Sequence, residues 1–175
     1  MSSAIIGSNR LAELAARRQA EALGYRSLVL STYIEGEAGE VGRVAAALAR
    51  GMLQAGDPFP PPACLILGGE TTVTVRGMGR GGRNTELALS AAIALEGLPG
   101  WALMALATDG TDGPTDSAGG LVDGQTAAAA RALGLDPQLA LHNHDSYPLL
   151  DAAGGLMRTG PTGTNVNDLV VIVCR

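Results

Sequence analysis

Apolar positions in the first third of the chain recur at helical spacing between short apolar runs. Leu11, Leu14, Ala15 and Ala22 fall on one stripe, Ser8 or Asn9 is placed to cap its start, and Gly24 stands at the usual C′ position. Ala4–Ile6 before it and Ser27–Ser31 after it read as strands. Val41, Val44, Ala45, Leu48, Met52 and Ala55 then predict a second helix that ends at Gly56. Strands alternating with helices predict parallel pairing within an α/β layer.

Asp57-Pro58-Phe59-Pro60-Pro61-Pro62 is a stiff connector, because proline fixes φ and removes a donor. A boundary is expected there, with residues 1–57 in one unit and 63–175 in another. Beyond it, Cys64–Leu67 is a continuous apolar run, as in a strand buried on both faces. Thr71–Arg76 alternates, with Val73 and Val75 on one side, and predicts a half-wet, antiparallel strand. Asn84–Glu96 reads as a helix, Ala102–Ala107 as a buried strand, Thr126–Leu133 as a short helix stopped by Gly134, and Asp168–Cys174 as a closing strand. The sum is a layered α/β fold with a mixed sheet.

Composition narrows the chemistry. The chain has 175 residues, 46% of them hydrophobic but only 3% aromatic, so alanine, leucine and valine must fill the core. All 12 basic residues are arginine, which leaves no lysine for a phosphate loop or a Schiff base. A net charge of −5 with so few aromatics argues against sequence-independent nucleic-acid binding. No apolar stretch reaches the roughly 18 residues of a membrane span, and the N-terminal residues lack a signal-peptide pattern. A cytoplasmic protein with no membrane partner is the expectation. Cys64 and Cys174 are too few for a disulfide framework and lack metal-ligand spacing.

Four glycine–threonine–acid clusters fall in the loops, where a rigid scaffold can hold ligand-binding groups open. In Gly68-Gly69-Glu70-Thr71, two glycines admit a ligand while Glu70 stands at a strand's carboxyl end. In the segment from Gly77 to Asn84 (GMGRGGRN), a glycine loop opens a helix, so free N–H groups and the positive helix end converge. Arg80 and Arg83 add a fork suited to phosphate or carboxylate. Thr108–Asp116 carries Asp109, Asp112 and Asp116 within eight residues, which could hold Mg²⁺ or orient a hydroxyl. Thr159–Asp168 offers hydroxyls and amides for phosphate or polyol contacts. Each cluster is also compatible with an ordinary turn.

Gly77, Gly79 and Gly82 match the G-x-G-x-x-G dinucleotide fingerprint, although the alternating stretch before them is unlike the apolar central strand that motif requires. His142-Asn143-His144-Asp145 lacks further metal ligands and reads as a loop cap, and Ser146 and Cys64 have no nucleophile setting.

Taken in order, GGETTVTVRG (68–77), GRGGRNTELAL (79–89), TDGTDGPTDSAGG (108–120) and GPTGTNVNDL (160–169) resemble the C-terminal region of the type II glycerate kinase family, the MOFRL domain. IIGSNR (5–10) and IEGEAGEVGR (34–43) extend the likeness to nearly the whole chain. Thr85 departs from it, standing where the family commonly has glutamine. The resemblance implies ATP- and Mg²⁺-dependent phosphorylation of D-glycerate, usually at the 2-hydroxyl, in a cleft between two α/β domains. Residues 1–57 would then end a Rossmann-like first domain and 63–175 form the MOFRL domain.

The family's arginine of GGRN and aspartate of TDG fall on Arg83 and Asp109 as the catalytic candidates. Glu70, Gly81, Gly82, Asn84, Thr162, Thr164 and Asn165 are the candidate substrate or nucleotide contacts, and Asp109 and Asp112 the candidate metal ligands. Family enzymes are more than twice this length and place a lysine near the phosphates. An N-terminal half is therefore the expected partner, inactivity without it the expected behaviour, and a homodimer through the apolar surface of residues 1–56 a further possibility. Two other functions stay open. Family members are often labelled hydroxypyruvate reductase, and the dinucleotide fingerprint with Asp109 keeps an NAD(P)-dependent reductase open, while the missing N-terminal half keeps open a non-catalytic ligand-binding or assembly module.

Overall fold

The computed structural model describes residues 7–175, so the strand expected at residues 4–6 lies outside the described residues. Helix α1 (Asn9–Ala22) begins at Ser8, whose hydroxyl accepts from Leu11 N at 3.2 Å. Gly24 closes it with φ +90°, a left-handed C′ conformation that only glycine adopts freely. Strand β1 (Arg26–Ile34) and helix α2 (Ala38–Gln54) follow, then the proline-rich connector, then β2 (Ala63–Gly69), all seven residues of which are buried.

The remaining elements are α3 (Arg83–Ala94), β3 (Trp101–Ala107), β4 (Gly119–Asp123), α4 (Thr126–Ala132), α5 (Pro137–His142), α6 (Ser146–Ala152), β5 (Leu156–Met157) and β6 (Asp168–Cys174). The sheet runs β1-β2-β6-β3-β4-β5, with β1 and β2 parallel and every other neighbouring pair antiparallel. The α/β fold with a mixed sheet is as the sequence implies. The stretches on either side of the connector share this sheet, because Arg26–Val29 pair in register with Ala63–Ile66.

Helices α2 to α6 cover one face over a core of Met52, Leu65, Leu87, Leu103, Leu150 and Ile172. The other face carries α1, seated on Cys64, Ile66 and Leu169. Strand β3 alternates buried with half-buried residues, since α1 does not reach across it. α2 and α3 cross closely at Gly42, where a methyl group would clash with the Leu87 carbonyl and stand 2.9 Å from Ser90 Cβ.

One element differs from expectation. Residues 71–76 form no strand, only an isolated bridge between Thr72 and Glu37. Thr72 N donates to Gly36 O (2.9 Å), while the Thr74 amide and hydroxyl both go to the Glu37 carboxylate. The backbone is satisfied by the start of α2, so no sheet partner is needed. The alternation instead reflects Val73 packing against the core while Val75 stays exposed.

Candidate functional site

Sheet register brings the clusters to one edge. Asp168 opens β6 opposite Gly69 on one side and Ala107 on the other. Glu70, Thr108-Asp109 and Asn167-Asp168 therefore emerge together. Arg83, the first residue of α3, reaches across to this edge. Its Nε and Nη2 donate to the two Asp168 carboxylate oxygens at 2.5 and 2.8 Å, and its Nη1 lies 3.4 Å from Glu70 Oε1. The bidentate pair fixes the guanidinium plane and raises the Arg83 pKa further. A fork has five N–H groups, so half of Nη2 and the Nη1 hydrogen not turned toward Glu70 remain for a ligand. The side chain is 27% exposed.

Arg83, Glu70, Gly81, Gly82, Glu86, Pro114 and His144 line a cleft of ≈ 710 Å³. Glu86, in the first turn of α3, is buried with Oε2 2.8 Å from His144 Nδ1. Burial raises its carboxyl pKa, and the histidine works against that rise.

The free helix end expected at the glycine loop is absent. Asp112, fully buried, fills the N-terminus of α3. Its Oδ1 accepts from Asn84 N (3.0 Å) and Asn84 Nδ2 (3.3 Å), and its Oδ2 from Thr85 N (2.8 Å) and Thr85 Oγ1 (3.0 Å). An N-cap carboxylate supplied from a distant loop satisfies the same groups a phosphate would. Asn84 accordingly faces Asp112 and the interior rather than a ligand. Asp112 also has no oxygen left over for a cation.

The loop glycines have an intramolecular reason as well. A Cβ on Gly77 or Gly79 would strike Asn143 O, one on Gly81 would strike Ser146 Oγ, and one on Gly82 would strike the Asp112 carboxylate. Gly79 N donates to Asn143 O (2.9 Å) and Arg80 N to Asp145 Oδ1 (2.8 Å). The loop is moulded onto residues 143–146, with Arg80 over the Tyr147 ring at 4.2 Å. Since no strand precedes it, the dinucleotide fingerprint lacks its structural context.

Asp109 and the fourth cluster form a second, adjoining group. Asp109 Oδ1 accepts from Thr111 N (2.9 Å) and its Oδ2 from Asn165 Nδ2 (3.2 Å). Thr162 Oγ1 donates to Thr108 O (2.6 Å), and Thr164 N donates to Thr162 Oγ1 (3.3 Å). The residues Thr162, Thr164 and Asn165 are exposed, and the two loops brace each other. None of them lines the cleft around Arg83. Among the described residues, no group of three or more His, Cys, Asp or Glu side chains is placed to hold a metal.

The sequence alone does not single out Glu86, reads His144 as part of a loop cap, and holds Asp168 only as the end of the fourth cluster. Asp168 was legible only as the last polar residue before a strand. Glu86 and His144 are 58 residues apart, and only the packing of the glycine loop brings them together.

This sheet, with an arginine clamped at its edge among glycine–acid loops, defines a MOFRL-type α/β domain. The model of the MOFRL family matches residues 63–168, and the chain belongs to that family. It is 52% identical over 156 residues to a D-glycerate 2-kinase of Thermotoga maritima, covering 89% of this chain and 37% of that protein. It is 44% identical over 171 residues to a putative hydroxypyruvate reductase of Agrobacterium vitis, covering 97% of this chain and 39% of the other. The crystal structure of a glycerate kinase from Thermotoga maritima superposes with a TM-score of 0.97 at 48% identity, over 98% of this chain and 42% of that one. The chain thus spans about two-fifths of the length of these relatives.

Proposed function

We propose that this chain carries the arginine side of a glycerate kinase active site, phosphorylating the 2-hydroxyl of D-glycerate to 2-phosphoglycerate with ATP and Mg²⁺. The observation that carries this reading is Arg83, held flat by Asp168 at the sheet edge with part of its fork open to the cleft. Phosphoryl transfer needs positioning and charge neutralisation more than covalent chemistry, and a placed arginine contributes on the order of 10³–10⁵ in rate. Relatives named as glycerate kinases support the same substrate class. Glu70 beside Arg83 selects against a ligand that brings charge without hydroxyls.

Magnesium that arrives on nucleotide phosphates keeps most of its waters and needs only one or two carboxylates. Asp109 suits that role by position, and Asp112 does not. When bound, the ion would neutralise charge on the transferring phosphoryl group. Thr162, Thr164 and Asn165, exposed beside Asp109, are the contacts this reading assigns to the nucleotide side.

Residues 1–57 join the remainder of such an enzyme, and 63–175 form the arginine-bearing domain. The β1 edge, with Leu30 and Tyr33 exposed, is the docking place for that remainder, or for a second copy of this chain in its absence. The reading places the enzyme in the cytoplasm. No described helix is long and apolar enough to cross a membrane.

The test is a coupled ADP-release assay with D-glycerate, ATP and Mg²⁺, run on the chain alone and with the N-terminal portion of the Thermotoga relative supplied. Glycerate-dependent ADP release only in the supplemented protein supports the reading. No release from either removes it.

A further inference from the structure

The histidine-containing turn at 142–145 is the one motif of the sequence that the proposed function leaves without a role. We infer that His144, held by Glu86, is a catalytic residue of the cleft beside Arg83, its Nε2 accepting the hydroxyl proton of a 2-hydroxycarboxylate whose carboxylate sits on the arginine. This inference rests on the glycerate-kinase reading of the cleft.

Four observations carry it. His144 lies in the wall between two clefts, the ≈ 710 Å³ one that holds Arg83 and Glu70 and a ≈ 700 Å³ one lined by Glu37, Arg43 and Arg76. Its Nδ1 is 2.8 Å from Glu86 Oε2, while the side chain keeps 16% of its surface open. With Glu86 ionised, Nδ1 carries the hydrogen, and the lone pair is left on Nε2. His144 also has φ +58°, a left-handed conformation in which histidine, with asparagine and aspartate, is enriched among non-glycine residues. The turn is held in this shape by Gly79 against Asn143 and Asp145 and by Glu86 against the ring.

The rival base is weaker on geometry. Both Asp109 oxygens already accept hydrogen bonds, from Thr111 N and Asn165 Nδ2, and Asp109 does not line the Arg83 cleft. A carboxylate engaged in that way suits a cation better than a substrate proton. The charged groups around His144 are Glu86 and Arg83 from α3, Glu37, Glu40 and Arg43 from the start of α2, and Glu35, Glu70 and Arg76 from the loops lining the two clefts.

The step balances. The substrate O–H bond breaks and its proton passes to Nε2. The oxygen forms a bond to the γ-phosphorus of a nucleoside triphosphate, and the bond from that phosphorus to its bridging oxygen breaks, with the electron pair leaving on the diphosphate.

The test uses the full chain labelled with ¹⁵N and ¹³C, with His142 and His144 told apart by a His144→Asn variant, since asparagine tolerates the left-handed backbone. At neutral pH the ¹⁵N shifts are expected to show hydrogen on Nδ1 and an unprotonated Nε2, an arrangement lost in Glu86→Gln. Hydrogen on Nε2 in the unaltered chain overturns the proposal, because the lone pair would then face Glu86. On titration with D-glycerate, the His144 Nε2 and Arg83 Nε resonances are expected to move together and saturate. Arg83 moving without His144 overturns the histidine's role while the reading of the cleft stands. His144 moving alone overturns it too, because the hydroxyl is placed relative to Arg83. If neither moves, both the role and the reading of the cleft fail.

Discussion

Replacing Asp112 separates a structural carboxylate from a metal ligand. Asp112→Ala leaves Asn84 N and Thr85 N without a partner inside the protein, along with the Thr85 hydroxyl and the Asn84 amide. A buried donor deprived of its acceptor costs roughly 1–3 kcal/mol, and loss of an N-cap about 0.5–2 kcal/mol. Against these stands the relief of a carboxylate whose burial already raises its pKa. Thr85 can turn its hydroxyl to Gly82 O at 2.9 Å, which recovers one contact. The net loss is about 2–4 kcal/mol, or roughly 5–15 °C in Tm at about 2–4 °C per kcal/mol for a chain of this size. Asp112→Asn keeps one acceptor but aims an NH₂ at a donor, so it falls between Ala and the parent. Urea denaturation reads ΔG directly. A loss under about 1 kcal/mol in the Ala variant, within the range of ordinary surface substitutions, would refute the capping role. Intact stability with abolished Mg²⁺ dependence would return Asp112 to the metal.

Gly42→Ala is expected to cost about 2–3 kcal/mol, because the added methyl forces α2 off the Leu87 carbonyl; a Tm within 1–2 °C of the parent, measured calorimetrically and worth well under 1 kcal/mol, would contradict that packing. Glu13 is fully buried beside Arg10 and Gly68, and burial lifts its pKa from 4.5 to about 7. Its folded pKa exceeds its unfolded one, so its contribution is full below pH 4.5 and falls by about 3 kcal/mol as pH rises through 7. Glu13→Gln should flatten that fall in pH-resolved urea melts, and parallel curves for both proteins would disprove it. NADH at millimolar concentration is expected to give no saturable energy transfer from Trp101, since the fingerprint glycines are occupied by residues 143–146; saturation would revive the dinucleotide reading.

Much of the fold was legible where periodicity and capping agreed. Ser8 and Gly24 bracket α1 as read, and the apolar run at Cys64–Leu67 is a central strand buried on both faces. Long-range pairing was not legible. Nothing local says that β6 inserts between β2 and β3, yet that insertion is what sets Asp168 beside Gly69 and Ala107. β4 was hidden because GGLVD is short and glycine-rich, and residues 71–76 misled because their partner is a helix start rather than a strand.

The site divided in the same way. Arg83 and Glu70 do meet, as clusters after a buried strand and at a helix start would. The sequence could not say that the helix end was already filled by Asp112, because that contact closes a loop of 28 residues. Nor could it say that the glycines admit residues 143–146 rather than a ligand. Glycine density marks a close approach of backbone, and only the fold names what approaches.

The most direct test of the account is Arg83→Ala in the chain supplemented with the N-terminal portion of the Thermotoga relative, followed by glycerate-dependent ADP release. The account predicts that kcat falls by on the order of 10³ or more, while the Asp168-side fold survives as judged by an unchanged far-UV spectrum. Turnover within a few-fold of the unaltered protein would contradict it.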